Sequence, residues 1–302
     1  MPERTLTLPP SAALGLYFIN RYRYLTITQF AKAAKLSRER SEDVLRFYSR
    51  RGIVSSFGNA TIPGHGRMPL VYFLKRKGWE LLRSESGIPE ELIGSFSEVN
   101  QETSWTPQMY HRLRLLDVMI ACELAVRDRP HLSLVKTFIE YKRIKREGRL
   151  AREPTDFVAA EEIPENRIIP DGAFILENVE TQRRALFLIE MDMATGRIVT
   201  QISHDRRLTL HFKFEQYDRY LTGRRFAEKY RSYGEFGSFT LLFVTLNPQR
   251  VENLRAALSD LPTDLAPYYR FGVFDEVLSD FLGTVWHSRL PTDEERYGLV
   301  RS

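Results

Sequence analysis

The chain has 302 residues, of which 43% are hydrophobic and 27% charged, with a formal net charge of +5. This is ordinary globular composition, long enough for two domains, each able to bury a core. No apolar run approaches the ~20 residues of a membrane span, and no apolar signal core opens the chain, so neither a membrane nor export is expected. The single Cys122 excludes an intramolecular disulfide and fits a reducing cytoplasm. The charge is unevenly distributed. Residues 1–83 carry 15 Lys/Arg against 5 Asp/Glu, whereas the remainder has a net charge of about −5. A concentrated basic first domain is the electrostatic footprint of a nucleic-acid binder.

In chain order, residues 11–24 read as an apolar helix after Pro9-Pro10, and 26–36 as a short helix capped by Thr26 or Thr28. Ser37 caps a third helix over 37–52, with Gly52 where a helix stops. Val44, Leu45 and Tyr48 form its buried stripe, leaving Arg38, Arg40, Arg46 and Arg50 on other faces. A short helix, a tight turn and a basic helix make a helix-turn-helix, whose second helix enters the major groove. Residues 53–57 and 69–78 read as strands around a Gly/Pro-rich tip at 58–68, which would be a wing, and 78–84 as a closing helix. A winged helix over 1–84 would meet duplex DNA through Arg38, Arg40, Arg46, Arg50, Arg51, Arg67 and Lys75. The competing reading is a small basic domain used for protein contact. His65 in the wing reads as a loop residue. The polar, proline-containing stretch 85–108 is the expected linker.

The second domain is expected over 109–302, opening with a strong helix at 111–128 that carries Cys122 as a packing residue. A strand over 132–144 follows, then a charged excursion at 145–154. Two period-two runs come next, 168–177 and 185–192, joined by a polar turn. Alternation puts Ile169, Asp171, Ala173 and Ile175 on one face of the first, and Leu186, Leu188, Glu190 and Asp192 on one face of the second. A register pairing 176 with 185 sets Asp171 against Glu190. Three carboxylates on one sheet face need a cation, a proton or solvent, and magnesium is the obvious hard cation. A helix over 203–223, a strand over 238–247, a helix over 248–260, a strand over 269–274 and a helix over 275–283 complete the chain. The fold class is therefore α/β (α+β), in the order α-β-β-β-α-β-α-β-α.

That order, with Pro170-Asp171 on one strand and Glu190 on the next, resembles the restriction-endonuclease-like PD-(D/E)XK superfamily. The whole chain is similar more narrowly to the replication-relaxation family of plasmids and other mobile elements. The likeness rests on the Leu74–Gly78 run (LKRKG) closing the winged helix, a helix opening at His111, Pro170-Asp171, Glu190-Met191-Asp192 before Thr195-Gly196, and a helix with Lys213 and Tyr217. The resemblance implies a nuclease-like second domain; duplex DNA is the expected partner from the basic first domain, and a further reading makes the second domain a platform for a replication or conjugation protein. Asp171 and Glu190 would bind magnesium. The superfamily's lysine belongs two positions after Glu190, where this chain has Asp192. Losing that cation removes a stabiliser of developing negative charge.

Lys213 is the candidate substitute, sharing a helical stripe with Leu210, Tyr217 and Tyr220, and Asp192 is a candidate third metal ligand. Each residue has a plainer reading too. Asp171 could mark a strand edge, Glu190 and Asp192 a solvated strand end, and Lys213 a surface lysine with its stem on apolar neighbours. Phe212, Phe214, Tyr217 and Tyr220 suit a core better than base stacking. His111, His204 and His211 show no metal-ligand spacing, and Glu123 on the first helix is a lesser acid candidate. The cluster Lys142, Arg143, Lys145 and Arg146 reads either as a phosphate grip or as a solvated loop. Two functions stand open: a DNA-binding protein acting in replication, relaxation or maintenance of a mobile element, or a magnesium-dependent endonuclease.

Overall fold

The computed structural model describes residues 9–300, apart from 59–60, 63–65, 94–95, 97, 100–106, 141–142, 147–148, 195 and 201–206. His65, Lys142, Thr195 and His204 lie outside the described residues. The chain divides into two compact units, 1–120 and 121–302.

The first unit opens with helix α1 (Pro10–Tyr22), strand β1 (Leu25–Thr26), α2 (Ile27–Ala34) and α3 (Arg38–Arg50). Strands β2 (Val54–Phe57), β3 (Thr61–Ile62), β4 (Gly66–Arg67) and β5 (Val71–Leu74) follow, then α4 (Arg76–Glu85), α5 (Glu90–Ile93) and α6 (Pro107–Arg127). Thr26, one of the two expected caps, starts α2 through a capping box. Its hydroxyl accepts from the Gln29 N–H, and the Gln29 side chain accepts from the Thr26 N–H. Lys35, in the left-handed conformation, turns the chain into α3, whose cap is Ser37 as expected. Val44, Leu45 and Tyr48 are its buried stripe.

β1, β5 and β2 form an antiparallel sheet in that order, and β3 pairs with β4 as a separate ribbon between β2 and β5. Gly78 is fixed by sterics: a Cβ there would sit 2.3 Å from the Ile53 carbonyl oxygen.

The expected linker behaves differently. Ile93 and Val99 are buried, and the Asn20 amide donates to the Ile93 carbonyl at 2.7 Å. The division between units falls inside α6, because Gln29 also donates to the Leu113 carbonyl at 2.8 Å and to Asp117 at 3.0 Å. Two apolar anchors in a polar stretch leave little periodicity to read.

The second unit holds β6 (Leu132–Ile139), β7 (Arg143–Arg146), β8 (Arg149–Arg152), β9 (Asp156–Phe157), β10 (Arg167–Ile168), β11 (Gly172–Asn178) and β12 (Arg183–Asp192). After these come α7 (Leu210–Thr222), α8 (Arg225–Lys229), β13 (Phe239–Thr245), α9 (Pro248–Ala257), β14 (Tyr269–Val273), α10 (Phe274–Ser279), β15 (Trp286–Ser288) and β16 (Arg296–Tyr297). A seven-stranded sheet runs β16-β15-β14-β13-β12-β11-β6, parallel across β12-β13-β14 and antiparallel elsewhere. The expected register holds, with Leu176 opposite Ala185. At the turn between β11 and β12, the Asn178 side chain accepts from the Glu180 and Thr181 N–H groups, both at 3.0 Å.

Alternation sorts the two faces. Ala173, Ile175, Leu186 and Leu188 pack with Phe214, Tyr217 and Tyr220 of α7 in one core cluster. Phe174 and Phe187, opposed in register on the other face, stack with ring centroids 4.7 Å apart. The charged excursion at 145–154 contributes to an antiparallel ribbon, β7–β8, and β15 and β16 extend the sheet beyond the expected last helix. Among the described residues, no helix is long and apolar enough to cross a membrane.

Candidate functional site

The acids sit where β12 runs out under α7. Glu190 and Asp192 are two residues apart on a strand and so share the core-facing side with Leu186 and Leu188; they are 2% and 7% exposed. Gly172 pairs with Ile189, which puts Asp171 one step beyond the ladder, beside Glu190. Asp171 is half-buried, and its carboxylate accepts the Met191 N–H at 2.9 Å. These are three carboxylates at one end of two strands, as the alternation and the register require.

α7 supplies the compensation. Thr209 caps its start by accepting the Phe212 N–H at 3.2 Å. One turn on, Lys213 and Tyr217, spaced i and i+4, point at the same acid. The Lys213 ammonium donates to one Glu190 oxygen and the Tyr217 hydroxyl to the other. The spacing in the sequence already put Lys213 and Tyr217 on one stripe. Tyr217 serves Glu190 while lying fully in the core, a pairing with no signal in the sequence.

The electrostatics follow from burial. Loss of solvent pushes Glu190 up to about 8, against the pull of Lys213 and with a further push from Asp171. For Lys213, burial works to lower the pKa, but Glu190, Asp171 and Asp192 together outweigh it and hold the ammonium above its ordinary value. The Tyr217 hydroxyl is raised far above its usual range by burial and then by Glu190, so it stays protonated and donates to Glu190.

Asp192 is held by a different set. Arg250, from α9, donates to its Oδ2 at 2.8 Å and to the Gly196 carbonyl at 2.5 Å. The Thr245 hydroxyl donates to the same oxygen at 3.3 Å, and Oδ1 accepts the Ala194 N–H at 3.1 Å. Parallel pairing sets Asp192 opposite Thr245, and Asn247 caps α9 by accepting the Arg250 N–H at 2.8 Å. Arg250 and Thr245 had no signal near the acids; only the parallel pairing of β12 and β13 brings them in.

This donor set does not fit a three-carboxylate magnesium site. Both Glu190 oxygens serve protein donors, Asp192 is turned onto a guanidinium, and Asp171 hooks a backbone amide. Among the described residues, no three His, Cys, Asp or Glu side chains form a group that could hold a metal. Glu123 stands apart, lining a shallow cleft with Arg127, Arg129 and Leu132. His211 ties α7 to Asp260 at 2.9 Å.

In the first unit, Arg38, Arg40, Arg46, Arg50, Arg51, Arg67 and Lys75 are all exposed. Arg38 pairs with Glu42 at 3.3 Å and Arg46 with Asp43 at 3.5 Å. Such exposed pairs are worth at most about 1 kcal/mol, so exchanging the carboxylate for a phosphate costs little. The Arg51 guanidinium lies 3.7 Å from the centroid of the half-exposed Phe47 ring.

A family model described as replication-relaxation matches residues 16–235. The chain belongs to that family. Membership associates it with the replication and relaxation of plasmid or other mobile-element DNA. The match includes Asp171, Glu190, Asp192, Lys213 and Tyr217 but ends before β13, so Thr245 and Arg250 lie beyond it. No curated protein and no solved structure gives a significant match.

Proposed function

We propose that the protein binds duplex DNA through its first unit, read as a winged helix, and serves the replication, relaxation or maintenance of a mobile element. The observation that carries this is α3, buried through Val44, Leu45 and Tyr48 while Arg38, Arg40, Arg46 and Arg50 stay exposed. A three-residue turn joins it to α2, and the β1-β5-β2 sheet with the β3–β4 ribbon follows. A helix so presented fits the major groove, its arginines positioned for phosphates and base edges. The second unit is read as a nuclease-like sheet whose acids are used within the protein.

One observation favours the alternative, a metal-dependent endonuclease. Lys213 brings a cation to Glu190, making good the lysine absent at 192. A metal would nonetheless have to displace Lys213 and Tyr217 from Glu190.

The test is duplex binding by anisotropy across a salt series, with supercoiled plasmid incubated in magnesium or manganese. Binding should weaken steeply with salt, and Arg38→Gln with Arg40→Gln should reduce the salt slope by about 2. The plasmid should stay uncut. Absence of salt-sensitive binding would sink the first reading, and cleavage abolished by Asp171→Ala or Lys213→Ala would establish the second.

A further inference from the structure

The basic hairpin β7–β8 stands outside the acid site and outside the helix-turn-helix. Residues 142–152 contain Lys142, Arg143, Lys145, Arg146, Arg149 and Arg152 against the single acid Glu147, although the chain beyond residue 83 is net negative. Among the described residues the two strands pair only with each other, as a separate two-stranded sheet. The register is Arg143 with Arg152, Ile144 with Ala151, Lys145 with Leu150 and Arg146 with Arg149.

Directly paired residues share a face. Arg143, Lys145 and Arg152 therefore mark one face of the ribbon, and Arg146 and Arg149 the other. Two of the four pairs are arginine opposite arginine, and like charges directly opposed destabilise a ribbon. Glu140 pairs with Arg152 at the root. A polyanion running along both faces would remove that penalty.

The root is firmly placed. The Glu140 N–H donates to the Asp171 carbonyl at 2.8 Å, and Lys229 donates to the Glu153 and Thr155 carbonyls at 3.1 and 3.0 Å. The hairpin thus springs from the sheet end that carries Asp171 and Glu190. Each strand is four residues, about 13 Å long. The major groove of B-DNA is about 12 Å wide and about 8.5 Å deep, and it admits a two-stranded ribbon.

We propose that the 143–152 hairpin is a second duplex-DNA contact, a ribbon with basic residues at register positions of both faces that enters a groove. It holds the duplex at the carboxylate end of the second unit. This rests on the reading of the protein as a DNA binder, and it adds a contact that the helix-turn-helix does not supply. The ribbon has little apolar surface to offer a protein, since its eight strand residues include only Ile144, Leu150 and Ala151 as apolar positions.

The experiment measures the salt dependence of duplex binding by the full chain. A variant with Arg143→Gln, Lys145→Gln, Arg146→Gln and Arg149→Gln is compared with the wild type and with Arg38→Gln/Arg40→Gln. A second, tip-only variant, Arg146→Glu/Arg149→Glu, disturbs less of the ribbon. Far-UV dichroism and the melting temperature check that both variants fold. Neutralising the hairpin should reduce the slope of log K against log salt by about 3, and shorten the hydroxyl-radical footprint. The tip variant should reduce the slope by about 2. An unchanged slope and footprint in both folded variants overturns the hairpin proposal alone. A loss in the hairpin variants with none in Arg38→Gln/Arg40→Gln supports the hairpin and overturns the helix-turn-helix reading. Absence of wild-type binding overturns both.

Discussion

Replacing Lys213 with Met should destabilise the second unit in a way that depends on pH. Glu190 is 2% exposed and gives one oxygen to the Lys213 ammonium and the other to the Tyr217 hydroxyl. Removing one partner of a fully buried ion pair costs about 3–5 kcal/mol. The Lys213 side chain keeps 37% of its surface exposed, however, so solvent screens the pair and the figure falls to about 1–2 kcal/mol.

The sign follows from the proton balance. An unfolded glutamate titrates near ~4.3, whereas burial holds folded Glu190 at about 8. Between those values the native state keeps a proton that the unfolded state has released, so stability falls as pH rises, by up to about 1.4 kcal/mol per unit. Lys213, raised by its carboxylate neighbours against burial, is charged in both states throughout that window, and its own titration affects stability only at higher pH. Without Lys213 the folded Glu190 value moves higher still and the fall extends further. Lys213→Met should therefore cost little at pH 6 and about 1–2 kcal/mol at pH 9. Urea unfolding followed through buried Trp286, with Trp79 and Trp105 replaced by Phe, gives the measurement. Adding Glu190→Gln should flatten the pH dependence and recover the loss at pH 9. Equal losses at pH 6 and pH 9, or no recovery by Glu190→Gln, would refute the reasoning.

Arg250→Ala should leave Asp192 buried without its guanidinium, costing about 3 kcal/mol, and Asp192→Asn in the same chain should return part of it; a double-mutant cycle measures the coupling. Arg289 is 1% exposed, with Asp218 at 2.9 Å and Tyr269 beneath its guanidinium at 4.4 Å. Arg289→Met should cost about 3–5 kcal/mol by urea unfolding, while Arg289→Met with Asp218→Asn should be milder. A fragment of residues 1–127 should unfold more cooperatively and at higher temperature than one of 1–84, which lacks the Leu113 and Asp117 partners of Gln29. Equal melting temperatures for the two fragments would show that α6 adds nothing to the first unit.

Much of this molecule follows from local pattern. Period-two alternation over 168–177 and 185–192 determined which residues face the core, and the short polar turn determined a register that aligns Asp171 with Glu190. Helical spacing determined that Lys213 and Tyr217 share a stripe, and the Thr26 and Ser37 caps determined where α2 and α3 begin. Such features depend on residues close in the chain or joined by a tight turn. Tertiary structure decided what the stripe meets and how the acids are used. Thr245 and Arg250 reach Asp192 only because β13 lies parallel to β12 across a long crossover, and spacing along one chain carries no trace of that pairing. The same holds for α6, whose contact with Gln29 moves the division between units into the middle of a helix. The basic stretch 142–152 shows the same division of labour. Its charge was plain in the sequence, but an arginine-rich run has no alternation to betray a strand. Only backbone pairing in the fold makes it a ribbon, rooted beside Asp171.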